Sequence, residues 1–413
     1  MTRHSLIALI LPFLGLPLSA EDSLRISGFG TLGGVYVDSK YYGYRKDVSY
    51  KDGVFDGEFD LKANSVLGIQ FDYQLNSEWD LSYQAVYRGQ HDLTLDSASN
   101  LAFIRYKPSA NWTVRTGRIG FDLFQLTEYR DIGFAYPWAK TPSEVYGIIG
   151  TRSLDGFDAS FTHPIGETTF NLKFSAGKSD TVTVGYETQE VETITLNDIY
   201  NITLGLETFD WYIKAKHTEV EFDNNIELLD QLIGALNTIP SIVWPDAETL
   251  ANGIGLEGTS AKYSSLSASY TFGNFVASGE LSKISGKSLL VRDLNNGYIS
   301  TSYLLNDHTL YMTFGKTSAD EYQLGTNVII TLPPDLQPLA FGVNTALSFL
   351  SSNQRSYSVG WRWNFDEQMA FKLQWERTKI EENGGTLWRR KDNVIGLPED
   401  TVNALFINLD FIF

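Results

Sequence analysis

The chain has 413 residues, with 50 Asp or Glu against 32 Lys or Arg and a formal net charge of −18. That balance argues against nucleic acid as a partner, and the absence of cysteine excludes a disulfide scaffold. Aromatic residues are abundant, with 22 Tyr, 25 Phe and 9 Trp, as aromatic girdles of a membrane barrel or a large soluble all-β domain would require.

Residues 1–20 read as a targeting segment. Arg3 and His4 form a polar start, Leu6 to Leu18 is apolar, and Ser19-Ala20 offers small residues for cleavage. The run is shorter than the roughly 20 apolar residues a membrane helix needs, and no later stretch meets that length. Export through a cleaved signal peptide is therefore expected. It leaves two classes for residues 21–413: a soluble periplasmic or secreted protein, or an outer-membrane barrel whose alternating strands escape hydropathy.

A strand is expected near Leu24 to Val37, followed by a repeated unit of two alternating runs joined by a short turn. From Ser65, Leu67, Ile69, Phe71, Tyr73 and Leu75 share one face and Gly68, Gln70, Asp72 and Gln74 the other. Asn76-Ser77-Glu78 turns the chain, and Trp79, Leu81, Tyr83, Ala85 and Tyr87 then alternate with Asp80, Ser82, Gln84 and Arg88. Period two over runs this long means strands with one apolar and one polar face. The unit recurs with turns at Ser109-Ala110-Asn111, Pro164 to Glu167, Phe209-Asp210, Gly273-Asn274, Asn306-Asp307-His308 and Asp366-Glu367-Gln368.

Seven hairpins, the first strand, and a last strand near Asn403 to Phe413 give sixteen. Turns within hairpins are short and connections between hairpins long, the layout of a transmembrane antiparallel up-and-down β-barrel with short periplasmic turns and long extracellular loops. Trp79, Trp112, Trp211, Phe272, Phe275 and Phe365 crowd the turn side, as a girdle at one membrane interface would. The competing soluble sandwich or propeller would bury these apolar faces in a core.

The chain ends Leu405-Phe406-Ile407-Asn408-Leu409-Asp410-Phe411-Ile412-Phe413, with Leu409, Phe411 and Phe413 on one face. This alternating, Phe-terminated strand is similar to the assembly signal of Gram-negative outer-membrane proteins. With sixteen strands and a long third loop, the chain resembles the Gram-negative porins over nearly its whole mature length. Glu128 to Asp131, Tyr136-Pro137-Trp138 and Glu144 to Gly147 resemble uncharacterised porin-like proteins of gammaproteobacteria. The Pro-Glu-Phe-Gly signature of the general porins' third loop is absent, so their constriction residues and trimer contacts are not carried over directly. The resemblance implies passive diffusion of small hydrophilic solutes or ions, and a homotrimer in outer-membrane lipid and lipopolysaccharide, inserted by the barrel-assembly machinery.

A barrel of this size leaves a water-filled lumen, so function rests on its lining. The polar face carries Arg88, Arg105, Lys107, Arg115, Lys173, Lys214, Lys216, Arg362 and Lys372, with Asp72, Asp80, Asp158, Glu280, Glu376 and Asp410. Arg118 joins the basic candidates, and Arg88, Arg105 and Arg115 are expected on adjacent wall positions. The third outer connection, about 119–152, mixes apolar anchors (Phe121, Phe124, Phe134, Trp138) with Asp122, Glu128, Arg130, Asp131, Lys140 and Glu144. A loop this long is usually functional or disordered, and its aromatics argue against disorder. By the resemblance it folds into the lumen and sets loop acids across from wall arginines, a field that orients dipolar solutes. The bland alternative packs it over the mouth, with lumen charges that only solvate.

Two further loops stand out. Asn225 to Ile239 has the spacing of a short amphipathic helix that could cap the mouth. Thr331 to Ser348 is apolar with Pro333, Pro334 and Pro338, and reads as a plug, a receptor surface or a subunit contact. Acids in the outer loops, such as Glu187, Glu190, Glu192, Glu219 and Glu221, form a solvated face or bind cations with lipopolysaccharide. An outer-membrane hydrolase is the rival class. His91, His163, His217 and His308 show no local partner of the kind a general base needs, and no phosphate loop or metal-spaced cluster is present, so no cofactor is expected. A plugged adhesin or receptor barrel is the other alternative.

Overall fold

The structure, a computed structural model, describes residues 23–89, 94–184, 191–291, 293–320, 331–347, 351–391 and 398–413. The targeting segment, His91, Glu187, Glu190 and Ser348 lie outside the described residues. Sixteen long strands form the body: β1 (Leu24–Val37), β2 (Val66–Gln74), β3 (Trp79–Arg88), β4 (Ser99–Tyr106), β5 (Trp112–Gly120), β6 (Ser153–Ile165), β7 (Thr168–Val184) and β8 (Val191–Glu207). The rest are β9 (Trp211–Phe222), β10 (Ser260–Phe272), β11 (Phe275–Gly286), β12 (Leu294–Leu305), β13 (His308–Ala319), β14 (Ser352–Asp366), β15 (Met369–Gly385) and β16 (Asp400–Ile412). Each pairs antiparallel with its chain neighbour. β1 pairs with β2 on one side and with β16 on the other, which closes the barrel.

The closure is physically obligatory, because a sheet edge in hydrocarbon leaves backbone groups unpaired. At the seam, Gly28 and Phe413 exchange backbone hydrogen bonds of 2.9 and 3.0 Å. The Phe413 ring covers Gly28 and the Phe411 ring covers Gly30, where a Cβ would come within 2.2 and 2.3 Å of the rings. The terminal strand's aromatics therefore fill the space those glycines leave. Leu409 stands opposite Leu32 in the same seam.

Period two sorts the side chains. Leu266, Leu281, Ile299, Leu310, Met312 and Val359 are exposed on the outside, whereas Asp158, Glu280, Ser300, Lys372, Gln374 and Asp410 are buried on the inside. A water-soluble barrel would reverse this preference. The short turns lie at one end. Gly166, Gly273 and Asn306 open three of them at φ of 63°, 56° and 51°, the first-position geometry of a tight hairpin that glycine and asparagine tolerate. Beside these turns an outward aromatic belt forms, with Trp79 on Tyr106 at 4.3 Å, Trp112 on Phe161 at 5.0 Å, and His308 accepting a 3.2 Å hydrogen bond from Trp361.

At the other end the long connections turn inward or cap the mouth. Helices α1 (Glu227–Asn237) and α2 (Ala247–Ile254) pack on each other, and α1 also meets α3 (Gln337–Leu347). The amphipathic reading of 225–239 thus corresponds to α1, which buries Leu229, Leu232 and Leu236. The apolar segment from Thr331 contributes α3 to the same cap.

An arginine at Met312, outward and near mid-strand, is expected to cost about 2–4 kcal/mol of folding stability in a bilayer. Ser160→Arg, on the inward face of β6, should cost far less. Urea titration of the heat-modifiable folded band in lipid vesicles measures both, and equal losses would mean that the outward face does not meet lipid.

Candidate functional site in the loop-filled lumen

The third outer loop (121–152) leaves β5 and enters the barrel, where its backbone needs partners that only the wall can supply. Asp122 accepts hydrogen bonds from Lys216 of β9 (2.5 Å) and Thr203 of β8 (3.0 Å). The Gln125 N–H donates to Glu280 of β11 (3.2 Å), which also accepts from the Tyr146 hydroxyl (2.9 Å). The Trp138 indole donates to Ser300 of β12 and Thr313 of β13. Lys140 pairs with Glu376 of β15 (2.5 Å), and Glu144 accepts from Gln354 of β14 (2.8 Å).

Lys372 of β15 is the hub of this attachment. Its ammonium donates to the carbonyls of Gly133 (2.6 Å), Tyr136 (2.7 Å) and Trp138 (3.0 Å) and pairs with Asp410 of β16 at 2.8 Å. Asp410 also accepts from Thr31 of β1 (2.5 Å). Arg362 adds a bond to the Tyr136 carbonyl (2.9 Å) and lies 4.7 Å from the Phe134 ring centre. The loop is thereby held on walls far apart around the barrel.

The three wall arginines do not form one group. Arg105 and Arg115 are direct cross-strand neighbours, but Arg88 ends β3 at the opposite, outer rim. Each has its own acid: Arg88 meets Asp131 (2.6 Å), Arg105 meets Asp80 (2.7 Å), and Arg115 meets Asp158 (2.6 Å) and Glu128 (2.8 Å). Loop acids do face wall bases, yet as closed ion pairs. Arg118 does not face the lumen. It sits three residues from Arg115, so strand alternation turns it outward, where it pairs with Asp155 and Asp96, both substantially exposed.

Arg130 and Asp131 reach a partner that the sequence reading missed, the first outer loop (38–65). Lys46, Asp47, Arg88, Arg130, Asp131 and Arg152 form one connected network: Asp47 takes Arg152 at 2.6 Å and Arg130 at 3.4 Å, and Asp131 takes Arg88, Arg152 and Lys46. Arg130 also donates to the Ile149 and Tyr146 carbonyls. Burial alone would raise the carboxyl pKa of Asp47, but Arg152 and Arg130 outweigh it and hold the group at about 2. Asp131 is held well below the ordinary carboxylate range, with Arg88, Arg152 and Lys46 overcoming the burial penalty. No periodic signal marks this loop in the sequence: Tyr42, Tyr44 and Arg45 are buried together without alternation.

Below the loop, towards the short turns, a cleft of about 390 Å³ opens to solvent. Arg105, Arg115, Lys173, Lys214 and Lys216 line it with Asp122 and Glu128. Lys173 stands 3.5 Å from each of Asp122, Glu128 and Asp158. Arg105, Lys214 and the loop acid Glu128 reach the water here, while Asp158 sits fully buried behind Arg115.

The described histidines lie elsewhere. His163 stacks on Phe161, and His308 stacks on Trp361 and Trp363 in the outward belt. His217 contacts Ser264 (2.8 Å) and Glu219 (3.3 Å) on the outward face. That run has the residue types of an acyl-transfer triad, but Ser264 is the direct ladder partner of His217. The local backbone N–H groups are committed to the sheet and leave no oxyanion donors, and Glu219 is already paired with Lys262 at 2.7 Å.

Lys372→Ala strands Asp410 and three carbonyls, so a loss of about 3–5 kcal/mol is expected, together with new protease cleavage between 121 and 152. Uncleaved loop and unchanged unfolding would remove Lys372 as the anchor. The ion network has an acid limit. Its carboxyls have folded pKa values below the unfolded value of about 4, so their stabilisation is complete above that pH and is lost as pH falls towards 2. For Asp47 alone the contribution is about 2 kcal/mol. Hydrogen exchange of the first and third loops should stay slow to pH 4 and rise steeply below, and Asp47→Asn should flatten that rise.

No family model matches the sequence, and no curated protein matches it. Solved structures do match. The anion-selective porin of Comamonas acidovorans is 13% identical at a TM-score of 0.54, over 95% of this chain and 99% of that one. The outer membrane channel DcaP of Acinetobacter baumannii is 11% identical at 0.54, over 94% and 97%. OmpF of Salmonella typhi, solved with daunomycin, is 12% identical at 0.52, over 94% and 97%. With sixteen strands, an outward apolar face and loops folded into a polar interior, the chain has the fold of the outer-membrane porins.

Proposed function

We propose that the protein is an outer-membrane channel that passes small hydrophilic solutes or ions by passive diffusion, with the third loop as the narrowing element of its lumen. The observation that carries this reading is the charged, solvent-open cleft on the inner side, roofed by a loop that wall residues tie down from several directions. A diffusion channel needs such a wet path lined with fixed charge and a constriction that does not collapse or drift. The porin fold supports the same reading. Its setting is the outer membrane, and the resemblance adds a homotrimer in lipopolysaccharide-containing bilayer, with the outward Leu409, Phe411 and Phe413 offered to the barrel-assembly machinery.

One observation favours a second reading, a plugged adhesin or receptor barrel. The network of Asp47, Arg88, Arg130 and Asp131 is buried in the outer part of the lumen and ties two loops together. The two readings part in a planar bilayer. Under the channel reading, the purified protein gives discrete conductance steps in KCl, and protein-loaded liposomes swell in sugar solution. Replacing Lys173 and Lys214 by Glu should shift the reversal potential in a salt gradient towards cations. Silence in both assays leaves the plugged barrel.

A further inference from the structure

A second cavity lies above the third loop, on the β7–β11 side of the outer lumen, with a volume of about 170 Å³. Its lining is apolar: Phe121, Leu123 and Ile148 from the third loop, Leu196 and Val220 from the wall, and Trp388 from the eighth outer loop. The charged groups bordering it are all basic. Arg45 comes from the first loop and Arg389 and Arg390 from the eighth, while Lys262 turns outward to its pair with Glu219. No Asp or Glu borders the cavity among the described residues.

Arg45 is the informative one. It is 8% exposed, and its guanidinium donates to the Val48 carbonyl at 3.3 Å and to the Thr386 carbonyl. Its Nε is buried without a partner among the described residues. The carboxylate next along the chain, Asp47, is taken by Arg130 and Arg152. Burial pulls the Arg45 pKa down to about 10, with Arg389 adding to the effect and Asp47 opposing it. A buried cation that has only carbonyl partners is costly, and an anion placed beside it repays that cost.

We propose that this cavity binds a small amphipathic organic anion, a carboxylate carried on an apolar body of about one aromatic ring. The size follows from the volume, since an apolar cavity of about 150 Å³ accepts a benzene ring. The charge follows from Arg45, whose planar fork suits a carboxylate. The ring packs on Phe121, Leu123, Ile148 and Trp388. The site does not depend on whether the lumen conducts.

Calorimetric titration of the full barrel in detergent tests it, with benzoate as the probe. Saturable one-site binding is expected, with benzamide (ring without charge) and acetate (charge without ring) each weaker by at least about tenfold. Arg45→Gln should cost benzoate a similar factor. Ile148→Trp fills the cavity without touching the arginine, and should abolish binding while the heat-modifiable band shows an intact barrel. Absent saturation, benzamide binding as tightly as benzoate, or undiminished affinity in Ile148→Trp would each overturn the proposal. Binding without bilayer conductance upholds the site and removes the channel; conductance without binding does the reverse.

Discussion

In hydrocarbon every backbone N–H and C=O has to find its partner within the protein, and in this chain the β1–β16 seam is where that requirement is finally met. The first and last strands are separated by nearly the whole sequence, yet they pair over nine consecutive positions from Phe29–Ile412 to Val37–Ala404. Everything inside the barrel presupposes this pairing. Lys372, Asp410 and Thr31 come from β15, β16 and β1 and meet only because the sheet has closed. The third loop then finds a ready-made donor in the Lys372 ammonium for its carbonyls at Gly133, Tyr136 and Trp138.

The lumen behaves as an interior in its own right. Outside, aliphatic side chains need no partner beyond lipid. Inside, loop backbone and wall charge satisfy one another, and the outer half adds an apolar cluster in which Tyr44, Phe121, Leu123, Tyr146, Trp244 and Trp388 are buried. This division explains how a chain with mean hydropathy of −0.16 sits in a membrane. Its polar residues are turned inward, where each buried charge requires a counter-charge or carbonyl. The buried pairs act less as net stabilisers than as registration marks, because each costs a great deal if its partner is absent.

The electrostatics differ accordingly from an open gap between a basic wall and an acidic loop. Arg88, Arg115 and Lys372 each touch the third loop directly, so their fields are largely spent on it. The base that stays clear of the loop below it is Lys214, paired to the wall at Glu207, and above it Arg45 has carbonyl partners. The two faces of the loop are chemically distinct: charged and wet towards the short turns, apolar and basic towards the outer mouth.

The sequence by itself determined the strands, their number, which face of each meets lipid, and the end at which the aromatic belt lies. Period two is a local property, visible in Leu67 to Leu75 or Trp361 to Phe365 without any knowledge of neighbours. The same rule, applied strictly from Arg115, turns Arg118 outward, so that residue's place was legible as well. The tertiary structure alone decided which charges meet. Arg88 and Asp131 are 43 residues apart, Lys140 and Glu376 are 236 apart, and Asp47 enters the network from a loop with no motif to mark it. Loop conformations carry no periodic signal, because they are set by the walls they lean on, and those walls stand opposite one another only after the barrel has closed.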